Sequence, residues 1–383
     1  MEAGGIEIGV YLLCVLLIAS NAVLLSWLGK TRKWLVWSVG LVVAEVMLCW
    51  IIPTGSLMLV LLSAICGVIL FTAVTEVGDM LPAHGRAVLI TGCDSGFGHD
   101  LAKMLDRAGM RVYAGVLDES GPGAQELRKV SSSQLTVLQL DVTDTNQVSA
   151  AYQFIKSQIG DAGLWGLVNN AGVLGYTCDA ELLPLRILQN TLEVNFIAGA
   201  LVTKVFLPMI RPAKGRIVSV SSLAGAVPFP GFAAYGASKA AVISYFGALR
   251  LELSCWGVKV AIVQPGGFKT NILGNQEGWN NIQNEILSTQ APEVIKAYGE
   301  EYICTMQQRL SNMTANACSD FRPVLDDIKH ALLSERPKHF YYPGHTAWAF
   351  PFLQKVCPSW LFDALFLHML KYDTFLPAGV TLK

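Results

Sequence analysis

Charge is scarce in this chain. Asp, Glu, Lys and Arg make up 15% of its 383 residues, against roughly 25% in an average soluble domain, so part of the chain is not built to meet water. Neither sign dominates, with 28 Lys and Arg against 29 Asp and Glu; that balance gives no general pull toward nucleic acid. Metal-ligating cysteine patterns are missing too. Nine cysteines, an odd number, are scattered without CxxC or Cys/His spacing, which argues against a zinc site or a disulfide framework and points to reduced, mostly buried thiols. No metal is expected.

What the chain has instead is hydrophobic residues, 52% of the total. Three apolar stretches come first: Gly9 to Leu28, Trp34 to Ile52 and Leu57 to Val74. Each approaches the roughly 20 residues that cross a bilayer core. Acidic Glu2 and Glu7, not basic residues, precede the first stretch, so it reads as an anchor and not as a cleaved leader. Glu45 makes the second stretch the marginal one: a mid-helix charge costs about 3 kcal/mol, and the Leu, Ile and Val side chains around it return about 3 to 6. Lys30, Arg32 and Lys33 lie between the first two stretches, which puts that loop on the cytoplasmic side. Three crossings then leave the remainder of the chain in the cytosol; two leave it in the lumen. The organisation expected is a membrane anchor of two or three helices over residues 1–80, a main domain over 81–345, and an apolar tail over 346–383 that faces membrane or substrate.

From Arg86 short β-rich runs alternate with helical segments, the pattern of a doubly wound parallel α/β sheet. "RAVLI" reads as a buried first strand and runs into "TGCDSGFG", with glycines at 92, 96 and 98. Glycines permit a sharp turn and let a pyrophosphate approach a helix amino terminus, where exposed N–H groups favour an anion. Asp118 follows Gly98 by 20 residues, about where an acid would accept from the ribose hydroxyls of NAD and repel the extra phosphate of NADP; Asp94, inside the loop, adds acid. Later strands end at Asp141, at Asn169 to Gly172, and in "QPGGFKT". Carboxyl ends of strands are where open α/β sheets bind ligands. "YGASK" sets Tyr235 one helical turn before Lys239, so both side chains share a face. A free tyrosine titrates near 10 and is a poor base, but adjacent cations favour its phenolate. Lys239 and the positive nicotinamide ring are expected to supply that charge.

Taken together, "TGCDSGFG", "DVT", "NNAG", the asparagine of "LEVNF", "VSVSSLAG", "YGASK" and "PGGFKT" resemble the short-chain dehydrogenase/reductase family, and "GVLDESGPGAQELR", "KHFYYPG" and the hydrophobic amino terminus resemble its membrane-bound steroid and retinol branch. The resemblance implies a Rossmann-like fold and NAD as cofactor. It makes Tyr235 the general acid/base, Lys239 its partner, Ser222 the residue holding the substrate oxygen, and Asn195 part of a proton path. Ser222 is preferred to Ser221 because it stands 13 residues before Tyr235 (235 − 222). Cofactor contacts are implied at Gly92, Asp94, Ser95, Gly96, Phe97, Gly98, Asp118, Asp141, Val142, Asn169, Ala171, Gly172, Tyr235, Lys239, Pro265, Gly266, Phe268 and Thr270, and substrate contacts at Ser222 and Tyr235. The activity implied is oxidation of a steroid hydroxyl, the 17β-hydroxyl of estradiol or testosterone, with 11β-hydroxysteroids or retinol as alternatives. The setting implied is the endoplasmic reticulum membrane, multi-pass, with the catalytic domain cytosolic, and the family is compatible with a homodimer. A membrane-anchored lipid-binding scaffold without turnover is the non-enzymatic alternative, which loss of Tyr235, Lys239 or Ser222 would have favoured. All three are present.

Overall fold

The computed structural model describes residues 79–383 apart from 275, 315–316, 345–346, 371–375 and 382–383. Residues 1–78, which hold all three apolar stretches of the anchor expected over 1–80, lie outside the described residues. Seven strands form one sheet: β1 (Ala87–Ile90), β2 (Arg111–Val116), β3 (Leu135–Gln139), β4 (Gly166–Asn169), β5 (Arg216–Val220), β6 (Lys259–Val263) and β7 (Phe340–Tyr341). All are parallel, in the order β3-β2-β1-β4-β5-β6-β7. The chain therefore reverses direction between β1 and β4, and the crevice beyond their carboxyl ends is where such sheets take ligands. The doubly wound fold read from the sequence is the fold found. β7 is an addition: its two residues extend the sheet by pairing with Ile262 and Val263.

Side chains alternate across the strands and build a core on each face. Val88 and Ile90 point into one, with Leu101 and Leu105 from α1 (Gly96–Arg107), Leu127 from α2 (Pro122–Val130), and Ile328 and Leu332 from a later helix. Ala87 and Leu89 point into the other, with Val148 and Ile155 from α3 (Thr145–Ile159) and Val202 and Phe206 from α5 (Ala198–Ile210), the continuation of α4 (Leu185–Leu192). Among the described residues the stretch Leu185–Ile210 is the one helix long and apolar enough to cross a membrane. Ala198, Val202, Phe206 and Ile210 are buried in the domain core, and that packing accounts for its composition.

Val242 and Phe246 of α6 (Ala233–Leu253) complete this second core. Five helices follow: α7 (Gln276–Thr289), α8 (Pro292–Tyr298), α9 (Glu300–Cys304), α10 (Met306–Thr314) and α11 (Arg322–Leu333). Trp279, Ile286, Tyr302, Met306 and Leu310 from this group pack on Leu174, Tyr176 and Leu182, forming an apolar cap with its own cluster. The tail forms α12 (Ala349–Val356), α13 (Ser359–Met369) and the short α14 (Ala378–Thr381). Phe362 and Phe366 bury against Leu223 and Val227, while Trp348 and Trp360 stay 60% and 71% exposed on the outside. Residues Met80–Lys383 form one compact unit, so the tail packs on the domain.

The two strand ends at the reversal point are latched by one buried hydroxyl. Thr91 Oγ1 accepts from the backbone N–H groups of Asn170 and Ala171, each at 3.0 Å, and Asn170 Nδ2 donates to the carbonyls of Thr91 (2.9 Å) and Gly92 (3.0 Å). A buried N–H left without its acceptor costs about 1–3 kcal/mol. Thr91→Val, which keeps the shape and removes the acceptor, is therefore expected to lower unfolding free energy by ~2 kcal/mol or more, read as a shift in denaturant midpoint. Thr91→Ser keeps the hydroxyl and is expected to stay near the parent; equal losses in both variants would show that the methyl, not the oxygen, matters.

Candidate active site

A cavity of about 1070 Å³ opens at the carboxyl ends of the strands, at the top of the roughly 300–1,000 Å³ of a single small-molecule pocket and suited to two molecules side by side. One end is floored by the glycine loop. Gly92 has φ +69° and Gly96 φ +63°, left-handed values that favour glycine. A Cβ on Gly98 would lie 2.3 Å from the Gly92 carbonyl oxygen and 2.5 Å from Asn170 Nδ2. That position is closed to any side chain. Gly98 lies in the first turn of α1, which has no side-chain cap from Ser95 and no acid in that turn. Its first N–H groups have no acceptor within the helix and face the cavity, a cradle suited to a pyrophosphate. The residues present thus fit a dinucleotide.

Of the residues singled out from the sequence, Gly92, Asp94, Ser95, Gly96, Phe97, Asp141, Val142, Ala171, Gly172, Ser222, Tyr235, Lys239, Pro265, Gly266, Phe268 and Thr270 line this cavity. Gly98, Asp118, Asn169 and Asn195 do not. Gly98 is the close-approach point just described. Asn169 is buried one residue too early, donating to Thr203 Oγ1 at 2.8 Å, and its neighbour Asn170 takes the place at the wall. Asp118 turns back on its own loop, where Oδ1 accepts from Ser120 N–H at 2.9 Å. Asp94 does the opposite: it lines the cavity and accepts from the N–H of Leu117 (2.9 Å) and of Asp118 (3.2 Å) at the end of β2. Sequence reasoning passed over Thr91 and Asn170; the second asparagine of "NNAG" was the available signal.

At the other end, α6 carries Tyr235 and Lys239 up to the mouth of β5. Ser221 and Ser222 differ in what they hold. Ser221 Oγ donates to the Lys239 carbonyl at 2.8 Å, tying strand to helix, whereas Ser222 lines the cavity with Tyr235 and its Oγ accepts from Ala224 N–H at 3.2 Å. Asn195 sits in a π turn (Glu193–Ile197) between α4 and α5, a local widening often found at functional positions. Its side chain pairs with both backbone groups of Val173, Oδ1 accepting at 2.7 Å and Nδ2 donating at 2.8 Å, and also donates to Ser238 Oγ at 2.9 Å. A Cβ on Gly172 would come 3.1 Å from Asn195 Oδ1 and 3.3 Å from Lys239 Nζ, so the asparagine and the lysine converge on one backbone position.

The chain between residues 86 and 281 matches the short chain dehydrogenase family. This protein is a short-chain dehydrogenase. It is 45% identical to mouse (Mus musculus) estradiol 17-beta-dehydrogenase 2 over 305 residues, 80% of each chain. It is also 45% identical to cattle (Bos taurus) 11-beta-hydroxysteroid dehydrogenase type 2 over 281 residues, 73% of this chain and 70% of that one. A solved short-chain dehydrogenase from Burkholderia cenocepacia J2315, in complex with NADP, superposes with a TM-score of 0.57 at 22% identity, covering 74% of this chain and 99% of that one; the likeness is one of fold. As a short-chain dehydrogenase the protein is an oxidoreductase enzyme whose fold binds a nicotinamide cofactor.

Electrostatics in this short-chain dehydrogenase differ from the expectation that Lys239 lowers the Tyr235 pKa. Burial raises Tyr235 above its usual 10, and Ser222 beside it only partly offsets the rise. Lys239 is itself pushed down to about 8 by burial. Its Nζ donates to the Val220 carbonyl at 3.0 Å and stands 5.7 Å from the centre of the Tyr235 ring. Desolvation thus outweighs mutual stabilisation while the chain is alone: the dry pocket disfavours both charged forms. The lowered lysine has a stability consequence. Between pH 8 and 10.5 the unfolded lysine still holds its proton while the folded one has released it, so stability rises with pH through that window and falls as pH drops toward 8. The drop from an ordinary 10.5 to about 8 corresponds to ~3 kcal/mol. Relative to Lys239→Met, the cofactor-free parent is expected to gain about that much between pH 8 and 10.5, measured by chemical denaturation; parallel curves for the two proteins would remove the assignment.

Proposed function

We propose that the protein oxidises the 17β-hydroxyl of steroids such as estradiol and testosterone to the 17-ketone, using NAD. The observation that carries this reading is the 45% identity, over 80% of both chains, to mouse estradiol 17-beta-dehydrogenase 2. The cavity's composition supports a greasy substrate: beyond Tyr235 its walls include Leu174, Phe229, Phe232, Met306, Leu310 and Met369. The bound dinucleotide supplies the hydride acceptor. Tyr235 takes the hydroxyl proton, and Ser222 holds the oxygen as it becomes a carbonyl. Lys239 provides the positive charge that steadies the phenolate, and Asn195 keeps Ser238 and the Val173 backbone in register behind them. The setting we infer is a membrane, multi-pass in the endoplasmic reticulum with this domain cytosolic, supported by the three apolar stretches before residue 80 and by the exposed Trp348 and Trp360.

Preference for NAD rests on acid at the ribose end of the cavity. Two like charges ~6 Å apart at an effective dielectric of ~20 repel by about 3 kcal/mol, enough to set a preference of more than a hundredfold against an added phosphate. Asp94 is the glycine-loop carboxylate in the wall, and Asp118 serves the neighbouring loop. Asp94→Asn is therefore expected to raise NADP use relative to NAD by at least tenfold, with Asp118→Ala changing the ratio less than threefold. The reverse ranking of the two variants would return the role to Asp118.

A second reading, oxidation of an 11β-hydroxyl, draws on the equal 45% identity to cattle 11-beta-hydroxysteroid dehydrogenase type 2 over a shorter span. Membranes containing the protein, given estradiol, cortisol and retinol in turn with NAD or NADP, should yield estrone fastest with NAD, and Tyr235→Phe should lose more than nine-tenths of the rate. Faster conversion of cortisol or retinol would transfer the assignment to that substrate, and a Tyr235→Phe enzyme with a tenth or more of the parent rate would remove Tyr235 as the base.

A further inference from the structure

Behind the glycine loop stands a buried histidine that proton transfer at Tyr235 does not use. His99, near the start of α1, is 6% exposed and lies outside the cavity lining. Its Nδ1 is 3.1 Å from the Cys93 carbonyl oxygen. Cys93 donates its own N–H to the Gly115 carbonyl of β2 at 2.8 Å, so both backbone groups of this loop residue are held. The other ring nitrogen, Nε2, is buried and stands 3.4 Å from Glu126 Oε2 of α2. α2 also presses on the loop directly: a Cβ on Gly123 would fall 2.0 Å from the Asp94 carbonyl oxygen. One ring thus bridges the loop that floors the cavity and the helix that backs it.

A carbonyl oxygen and a carboxylate only accept hydrogen bonds. A neutral imidazole carries one N–H and one lone pair, so whichever nitrogen keeps the hydrogen, the other turns its lone pair on an acceptor. The protonated ring donates to both. The charged groups around it are Glu126 from α2 and, beyond Glu126, Lys103 of α1 at 3.1 Å, itself paired with Asp100 at 2.9 Å. Asp94 is turned away to the N–H groups of Leu117 and Asp118, burial keeps the Cys93 thiol neutral, and α11 packs on α1 within an apolar cluster that includes Val324 and Ile328. Lys103 first, and His99 after it, hold the Glu126 carboxyl below its ordinary range, so the acceptor stays charged. We propose that His99 is a positioning residue for the cofactor: protonated, it clamps the Cys93 carbonyl to α2 and fixes the glycine loop for a pyrophosphate, and loss of the proton loosens that loop. Dinucleotide affinity is then linked to pH and falls as pH rises through the titration of His99. The inference rests on dinucleotide binding at the loop and not on which alcohol is oxidised.

Equilibrium binding of NADH to the full-length protein in detergent micelles, followed by the fluorescence of the bound nicotinamide, tests this without turnover. Between about pH 5.5 and 7.5, either side of the ordinary histidine value of ~6.5, the dissociation constant of the parent is expected to rise about fivefold. His99→Asn keeps a side-chain donor close to the place of Nδ1 but does not titrate, and its affinity should stay level across the range. Glu126→Gln, at a half-exposed position that tolerates change, offers Nε2 an acceptor or a donor as the proton comes and goes, so the slope should shrink to less than about twofold. A role in packing alone would instead weaken binding equally at every pH. Level affinity in the parent, or a slope that survives in either variant, would overturn the proposal and leave His99 as a spacer between loop and helix; should His99→Asn fail to fold, Glu126→Gln decides. NADPH is titrated alongside. Tighter binding of NADPH would refute the proposed cofactor preference while the pH slope is read on NADPH in the same way, and binding of neither would overturn both.

Discussion

One hydroxyl joins the two strands between which everything is bound. Thr91, at the end of β1, accepts from the two successive N–H groups that end β4, and Asn170 answers by donating back to the carbonyls on either side of the turn. The glycine loop and the "NNAG" loop thus form one rigid lip. Gly98 exists because Asn170 comes within 2.5 Å of where its Cβ would stand. Without that lip the amino terminus of α1 would still be a helix end, but it would not face a fixed wall, and an anion bound there would not be registered against Tyr235 across the cavity.

The catalytic end shows the same economy with opposite electrostatics. Tyr235, Lys239, Ser222 and Asn195 are brought together by three separate elements: α6, the turn after β5, and a π turn in the middle of the long core helix. Burial holds the tyrosine above and the lysine below their ordinary pKa values. The chain alone is thus poised against ionisation in both directions. What the fold supplies is position: Lys239 is fixed by Val220 and from behind by Ser221, so it waits in place for a partner charge.

Much of this was legible in the order of residues. Strand-like runs alternating with amphipathic helices gave the parallel sheet, since each burial pattern is local and periodic. Spacing alone placed Tyr235 and Lys239 on one helix face; preferring Ser222 to Ser221 took the family's own spacing to the tyrosine. Side-chain direction was less legible. Asp118 stands at the expected distance along the chain yet turns to Ser120, while Asp94 reaches the same strand end from the glycine loop; the choice depends on loop geometry that no period encodes. β7 escaped notice because two residues carry no alternation. In the chain alone burial raises the Tyr235 pKa; the lowering expected from the sequence counts the positive nicotinamide ring of the cofactor together with Lys239.

The tail has a consequence for timing. Phe362 and Phe366 of α13 pack on Leu223 and Val227, and Phe366 meets Phe229 edge-on with ring centres 5.0 Å apart. Those three partners lie in the short segment between Ser222 and Tyr235, and Phe229, Met369 and Leu370 all line the cavity. The tail helix and the catalytic loop therefore share one wall. A ligand leaving on that side must separate these aromatic layers, a local opening whose free energy is set by buried apolar area and not by chemistry at Tyr235.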